Sequence, residues 1–385
     1  MPPLAHYDIV MLGTFAAWRL GTLQSRALPL AAELTHRGVR CAIVTTPWDM
    51  PSERGVVDLL DGVTLINTRS APTRSPLSAV REQVALVRQL RPRAVHVFKP
   101  RGFAGFSGSL LHRRLPVLVD SDDWEGDGGW NRIGSYGLMQ RRVFDWQERT
   151  LLSNAHAVTA ASSLLFRRAT CIREGRGVCL VPNGLTRAWF DTLASRQLTA
   201  SSPARDRTIV LYSRFAEFGS QWLPRFLRAL DEHISAPTRV DLIGATNATP
   251  ASTTRLDVRA HGYVERDQVP IRLGAASVAV FPYEPSLVSL SKQSVKLLEL
   301  MSAGCALVAS DVGDIPAVMD GTGIAVDGAD PVAFARVAAR LLDDRESAAA
   351  LGTAAQQRVR RHFLIETAIA DRLLDAYRDA GVLPE

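Results

Sequence analysis

The stretch Ser289–Pro316, SLSKQSVKLLELMSAGCALVASDVGDIP, collects residue types that can hold an anion and a pair of hydroxyls. Ser289, Ser291 and Ser294 supply hydroxyls, and Lys292 and Lys296 supply positive charge. Val295, Leu298 and Met301 fall at i, i+3 and i+6, an apolar helical register. Ala303-Gly304 ends that register, because glycine tolerates the left-handed conformation of a helix cap. Free N–H groups and the helix dipole converge at a helix N-terminus, so an anion is stabilised there. Glu299 lies one to two turns further in, where a carboxylate accepts two hydroxyl hydrogen bonds. A nucleoside diphosphate, with charge at one end and a ribose diol at the other, makes both demands.

A second stretch, Asp120–Asn131 (DSDDWEGDGGWN), follows an apolar run and mixes acids with two tryptophans and three glycines. Such a loop reads as a binding segment. Tryptophan faces pack on sugar C–H surfaces, and carboxylates accept hydrogen bonds from hydroxyl and ammonium groups. Asp123, Trp124, Glu125, Trp130 and Asn131 are therefore candidate contacts to a hydroxylated or amino-bearing acceptor. A cation between paired aspartates and a merely solvated loop are the competing readings. Arg19 and Gln24, in the segment after the first apolar run, are further candidate contacts, against a plain helix start. Lys99 and Arg101 just beyond VHVF offer charge for a phosphate or an acceptor, whereas His96 within that run reads as a core histidine.

The elements that must position these residues alternate. Apolar runs at Tyr7–Leu12, Ala42–Thr45, Val63–Ile66, Ala94–Val97, Pro116–Val119, Ala157–Thr159 and Val178–Val181 read as strands. Helical segments such as Leu23–Arg37 and Pro76–Leu90 lie between them. Strands alternating with helices imply a parallel, doubly wound sheet. The polar stretch Ser195–Asp206 reads as a linker. The pattern then restarts with Ile209–Tyr212, Val240–Ile243, Arg259–His261, Val278–Phe281, Leu307–Ala309 and Gly323–Val326. Asp330-Pro331 is a helix start, with aspartate as cap and proline at the first position. The expectation is an α/β protein of two doubly wound, Rossmann-like domains, 1–194 and 207–362, with a closing helix over 363–385 and ligands bound in a cleft at strand C-terminal ends.

The 385 residues suit two domains, and a net charge of +6 fits anionic substrates or an acidic membrane surface as readily as an arginine-rich composition. Four cysteines without metal-ligand spacing suit buried thiols in a reducing cytoplasm. The short N-terminal run containing Asp8 reads as a strand rather than a signal peptide. Runs of eighteen apolar residues are absent, which excludes a membrane-spanning helix, and no metal set stands out.

VPNG at 181–184, AVTAAS at 157–162, Ser213-Arg214, HGYV at 261–264, FPY at 281–283 and KLLELMSAG at 296–304, followed by ALVASDVGDIPAVM and GTGIAVDGADP, together resemble the retaining glycosyltransferases of the GT-B fold, specifically glycosyltransferase family 4. The resemblance implies that Glu299 holds the ribose, Arg214 neutralises the diphosphate, and Gly262, Tyr263 and Val264 lie against the nucleobase. It gives Gly13 the place of the glycine in the first-domain loop facing the phosphates. The family's glutamate eight residues before Glu299 is here Ser291, which takes over that catalytic position. The lysine about five residues after Arg214 is missing, leaving Lys292, Lys296 or Lys99 to replace it, Lys296 first. Where the family often has a histidine, Asp122 stands.

The implied function is transfer of a sugar from a nucleotide sugar, UDP- or GDP-linked, to a hydroxyl acceptor, without metal or other cofactor and without nucleic acid. Relatives that act on lipid-linked acceptors leave peripheral membrane contact open. The competing readings are a non-catalytic nucleotide-sugar-binding protein and a GT-B-fold sugar-nucleotide epimerase. A dinucleotide oxidoreductase is disfavoured because GxGxxG is absent.

Overall fold

The computed structural model describes residues 6–16, 21–71, 75–195, 207–246 and 252–384. They make two compact units. One holds the chain up to Asn183 with Ser291–Gln293 and the segment from Ile365 onward, and the other holds Gly184–Leu290 and Ser294–Leu364.

The first unit is built on strands β1 (Ile9–Gly13), β2 (Cys41–Thr45), β3 (Val57–Leu60) and β4 (Val63–Asn67), then β5 (Ala94–Phe98), β6 (Val117–Ser121), β7 (Ala157–Ala160) and β8 (Val178–Leu180). Their order in the sheet is β3-β4-β2-β1-β5-β6-β7-β8. β1, β2, β5 and β6 are buried along their whole length. Strands covered by helices on both faces read as unbroken apolar runs, which is why these were visible in the sequence. β3 was not expected. It pairs antiparallel with β4 at the sheet edge and is largely exposed, so VDLL carries no buried pattern.

The second unit carries β9 (Thr208–Tyr212), β10 (Thr238–Ile243), β11 (Leu256–Gly262), β12 (Val278–Phe281), β13 (Ala306–Ser310) and β14 (Ile324–Val326). All pairs are parallel, in the order β11-β10-β9-β12-β13-β14. That is the doubly wound order, reversing direction between β9 and β12. In the first sheet the reversal lies between β1 and β5. A crevice forms outside the carboxyl ends of the strands at such a point.

The units change over at Asn183–Gly184, ahead of the expected boundary. Helix Arg187–Ser195 buries Phe190 and Leu193 in the second core, which assigns it there. Most of the expected linker, residues 196–206, lies outside the described residues. Ile365, Ile369, Leu373 and Tyr377 enter the first core, so the C-terminal segment belongs to the first unit.

The stretch from Ser289 is not one helix. A short helix, Leu287–Ser291, ends, and Val295–Ser302 begins after Ser294, whose extended backbone (φ −88°, ψ 128°) interrupts the register. Gly304, at φ +68°, closes the second helix as its residue type implies. Asp330 caps the helix from Pro331 by accepting from the Val332 and Ala333 amides at 3.0 Å. Among the described residues no helix is long and apolar enough to cross a membrane.

Candidate active site

In the second unit, the helix Val295–Ser302 lies on the crossover between β12 and β13 and presents Lys296 in its first turn and Glu299 a turn later. Glu299 is buried, and its Oε1 accepts a 2.9 Å hydrogen bond from Nε1 of Trp189. The Tyr212 hydroxyl, at the end of β9, also bonds to it. Burial raises the Glu299 pKa above the ordinary carboxylate range, while the Trp189 bond, Lys296, Arg266 and Tyr212 pull it back. Burial and the neighbouring carboxylate together push the Tyr212 phenol up. The Lys296 ammonium stands 4.9 Å from the Tyr212 ring centre, and the Arg266 guanidinium 4.5 Å from the Trp189 ring centre. The result is one carboxylate walled by two aromatic rings with two cations beside it. Trp189, Tyr212 and Arg266 were not singled out in the sequence; the reversal point after β9 would have pointed to Tyr212.

Arg214 leaves the same end of β9. Its Nε donates to Oε1 of Glu217 at 3.0 Å, and the other oxygen of Glu217 accepts from Ser213 Oγ at 2.9 Å. One carboxylate thus fixes the turn and the guanidinium together. Gly262 ends β11 at φ +64°, a conformation that strains any residue with a side chain. Tyr263 beyond it is exposed, and Val264 packs on the second core.

In the first unit, β5 delivers Lys99 at the reversal point, with its backbone left-handed at φ +65°. A non-glycine residue held there is strained and is kept so by its surroundings. Its ammonium lies 2.8 Å from Asp123, 2.8 Å from Glu125 and 3.4 Å from Asp122, all on the loop after β6. These three carboxylates could also hold a metal ion by their spacing, but the cation they face here is Lys99. Arg101 closes the group 2.9 Å from Glu125. Burial works against the Lys99 charge, and the carboxylates outweigh it, holding its pKa well above the ordinary value. Asp122 goes the other way. Burial, helped by Asp123, Asp120 and Glu125 and opposed by Lys99, pushes it from 3.8 up to about 6. Thr22 donates a 2.8 Å hydrogen bond to its Oδ2. Asp123 is held low, mainly by Lys99 and then by Lys292, against the effect of burial.

Lys292, expected at the donor phosphates, belongs to the first unit, 6.0 Å from the Trp130 ring centre. Ser291 is likewise in the first unit and buried, its carbonyl accepting from Ser162 Oγ at 2.7 Å. Both are assigned to the first unit, whereas Glu299 belongs to the second. Glu125 and Asn131, expected as acceptor contacts, are buried, Glu125 against Lys99 and Arg101, Asn131 with its amide towards the Arg141 carbonyl. Trp124 lies 4.3 Å below the Arg168 guanidinium, and Glu148, paired with Arg168, accepts from the Glu125 and Gly126 amides. Asp123 and Trp130 remain partly exposed. Gln24 is half-buried in the π-helical turn Leu23–Ala27. Arg19 lies outside the described residues. Gly13 ends β1, where a Cβ would stand 2.7 Å from the Leu23 side chain.

Two buried networks brace the first unit. Arg26 pairs with Asp120 through Nε and Nη2, at 2.7 and 2.8 Å, and donates to the carbonyls of Val181 and Pro182 and to Asn183 Oδ1. VPNG is thereby tied to the strand end that carries the acidic loop. His96 joins Tyr377 at 2.8 Å and Thr159 at 3.2 Å, and burial lowers its pKa to about 4, so it is a neutral core histidine, as its apolar run implied.

Comparison with known proteins agrees with this organisation. A family model described as "Glycosyl transferase 4-like domain" matches residues 21–184, and one described as "Glycosyl transferases group 1" matches residues 206–344. A D-inositol 3-phosphate glycosyltransferase from Xylanimonas cellulosilytica is 31% identical over 162 residues, covering 39% of this chain and 37% of that protein. The chain thus spans well under half the length of this curated relative. Sucrose-phosphate synthase from Thermosynechococcus elongatus superposes with a TM-score of 0.73 at 19% identity, over 97% of this chain and 98% of its own. HepE from Anabaena, in complex with UDP and glucose, does so with a TM-score of 0.66 at 14% identity, over 97% and 100%. At these identities the structural likeness concerns the fold. With one family model on each unit and GT-B architecture throughout, the chain belongs to the family-4-like glycosyltransferases of the GT-B fold.

Proposed function

We propose that this chain moves a glycosyl group from a nucleoside diphosphate sugar to a hydroxyl of an acceptor, with retention at the anomeric carbon and without a metal. The observation that carries the reading is the buried Glu299 between Trp189 and Tyr212, with Lys296 and Arg266 beside it, at the reversal point of a doubly wound sheet. A carboxylate in that setting suits the two ribose hydroxyls. Lys296 and Arg214 supply the charge that a departing diphosphate needs. UDP is the first nucleotide to test, since HepE holds UDP and glucose on the same fold; GDP is the second.

In the reaction the bond from the anomeric carbon to the diphosphate oxygen breaks and the bond to the acceptor oxygen forms. The acceptor proton passes to the departing diphosphate or to a carboxylate of the enzyme. On the first unit Asp122 is the carboxylate suited to that task. Its pKa of about 6 lies close to neutral pH, where a general base combines availability with basicity.

The reading is tested by incubating the full chain with UDP- and GDP-sugars and a panel of hydroxyl acceptors, and following nucleotide release and product anomer by NMR. Acceptor-dependent release with the donor's anomeric configuration kept supports it. Tight nucleotide-sugar binding with no turnover for any acceptor overturns it in favour of a binding protein.

A further inference from the structure

The first unit contains a cavity of about 1390 Å³ that the transferase reading does not use. Helices Pro76–Leu90, Gly102–Leu111 and Leu138–Asn154 form it. Its volume exceeds the roughly 300–1,000 Å³ of ordinary small-molecule pockets. Val80, Val84 and Phe103 line it, with Phe106 and Trp146, whose ring centres are 6.4 Å apart. Leu77, Phe106, Leu110 and Trp146 also remain exposed to solvent, an uncommon grouping for a soluble surface.

The charge around this apolar lining has one sign. Arg81, Arg88, Arg113 and Arg114 line the cavity, all exposed, and among the described residues their side chains have no acidic or hydrogen-bonding partner. Among the described residues no aspartate or glutamate lines it. An apolar trough with unpaired guanidinium groups complements a molecule that is hydrocarbon along most of its length and anionic at one point. The trough is also continuous with the carboxylate cluster. Arg101 lines the cavity, stands 5.4 Å from the Phe144 ring centre and 5.7 Å from that of Tyr136, and pairs with Glu125 beside Lys99. Thr14, another lining residue, donates to the Arg101 carbonyl at 2.9 Å.

We infer that the cavity binds the acceptor, and that the acceptor carries a hydrocarbon chain and a phosphate besides its reacting hydroxyl, its chain on Val84, Phe106 and Trp146 and its phosphate against the arginines. The inference rests on the transferase reading for the word acceptor; the binding itself does not. The occupant we infer is a single molecule held in the cavity rather than a membrane surface.

The test uses decyl phosphate below its micellar concentration, added to the full chain, with intrinsic fluorescence reporting through the lining residues Trp48 and Trp146. A saturable change is expected. Phe106→Asp and Leu110→Asp should each raise the apparent Kd at least about tenfold, a difference of about 1.4 kcal/mol or more. Arg113→Glu combined with Arg114→Glu should weaken decyl phosphate at least about fivefold while moving decan-1-ol by less than about twofold. Stabilisation by UDP, read on the same variants, reports that each remains folded, and its loss in the unaltered chain would sink the transferase reading alone. A response that does not saturate, or that ignores all of these substitutions, overturns the inference. So does cosedimentation with phosphatidylglycerol vesicles without any binding of the monomeric probe, which would make the face a membrane surface instead.

Discussion

The indole of Trp189 donates to the buried carboxylate of Glu299 across 110 residues of sequence, at 2.9 Å. The bond fixes one oxygen of a carboxylate that the Tyr212 hydroxyl also holds. Removing it by Trp189→Phe leaves a buried carboxylate with one donor fewer. The expected outcome is a loss of about 1–3 kcal/mol of stability in urea denaturation and nucleotide binding weaker by about tenfold in calorimetry.

Lys99 is the counter-charge for three carboxylates. Lys99→Met leaves them facing one another with only Arg101 and the more distant charge of Lys292. Breaking a buried ion pair by removing one partner costs about 3–5 kcal/mol, so denaturant midpoints should fall accordingly. If the stability of the variant instead matches that of the unaltered chain, the carboxylates are solvated and the buried cluster is not as described.

Asp122 gives two pH signatures. Its pKa is raised on folding from 3.8 to about 6, so the folded state holds the proton more tightly than the unfolded one. Its contribution to stability is complete below 3.8 and disappears as pH rises through about 6. Asp122→Asn should remove that slope, gaining about 1–3 kcal/mol relative to the unaltered chain between pH 4 and pH 7. The same group, in its proposed role as base, should make kcat/KM rise through pH of about 6. In Asp122→Asn the rise should vanish and the rate fall by about 10²–10⁴. Stability curves and a pH–rate profile on the two proteins check both.

Much of the fold could be read from the sequence because doubly wound sheets leave a strong trace. Runs such as VAVF and ALVA are apolar at every position, and punctuation such as Asp330-Pro331 and Gly304 falls where helices start and stop. What stayed hidden depends on pairings that no local pattern records. Lys99 and its carboxylates meet because β5 lies beside β6. Trp189 reaches Glu299 because helix Arg187–Ser195 packs into the second core rather than the first. The break at Ser294 was also invisible, since serine is as ordinary in a helix start as before one, and it moves Ser291 and Lys292 into the other unit. The arginine-rimmed cavity needed three helices, far apart in sequence, to be brought together.

The C-terminal segment gives a test of the first core alone. Leu373 is fully buried there, between Ile369 and Tyr377 on the same helical face. Leu373→Ala should cost about 2–5 kcal/mol. Calorimetric unfolding of the variant with and without nucleotide checks it, because nucleotide stabilisation, proposed to reside in the second unit, should persist.

The central claim is that Glu299 anchors a nucleoside diphosphate in the second unit. The most direct measurement is the melting temperature of the full chain with UDP, GDP, ADP and dTDP, repeated on Glu299→Ala. A ligand at about 100 times its Kd should add about 2.7 kcal/mol, so one nucleotide is expected to raise Tm by several degrees in the unaltered chain and to do nothing for the variant. No shift with any of the four, or an equal shift in both proteins, would contradict the account.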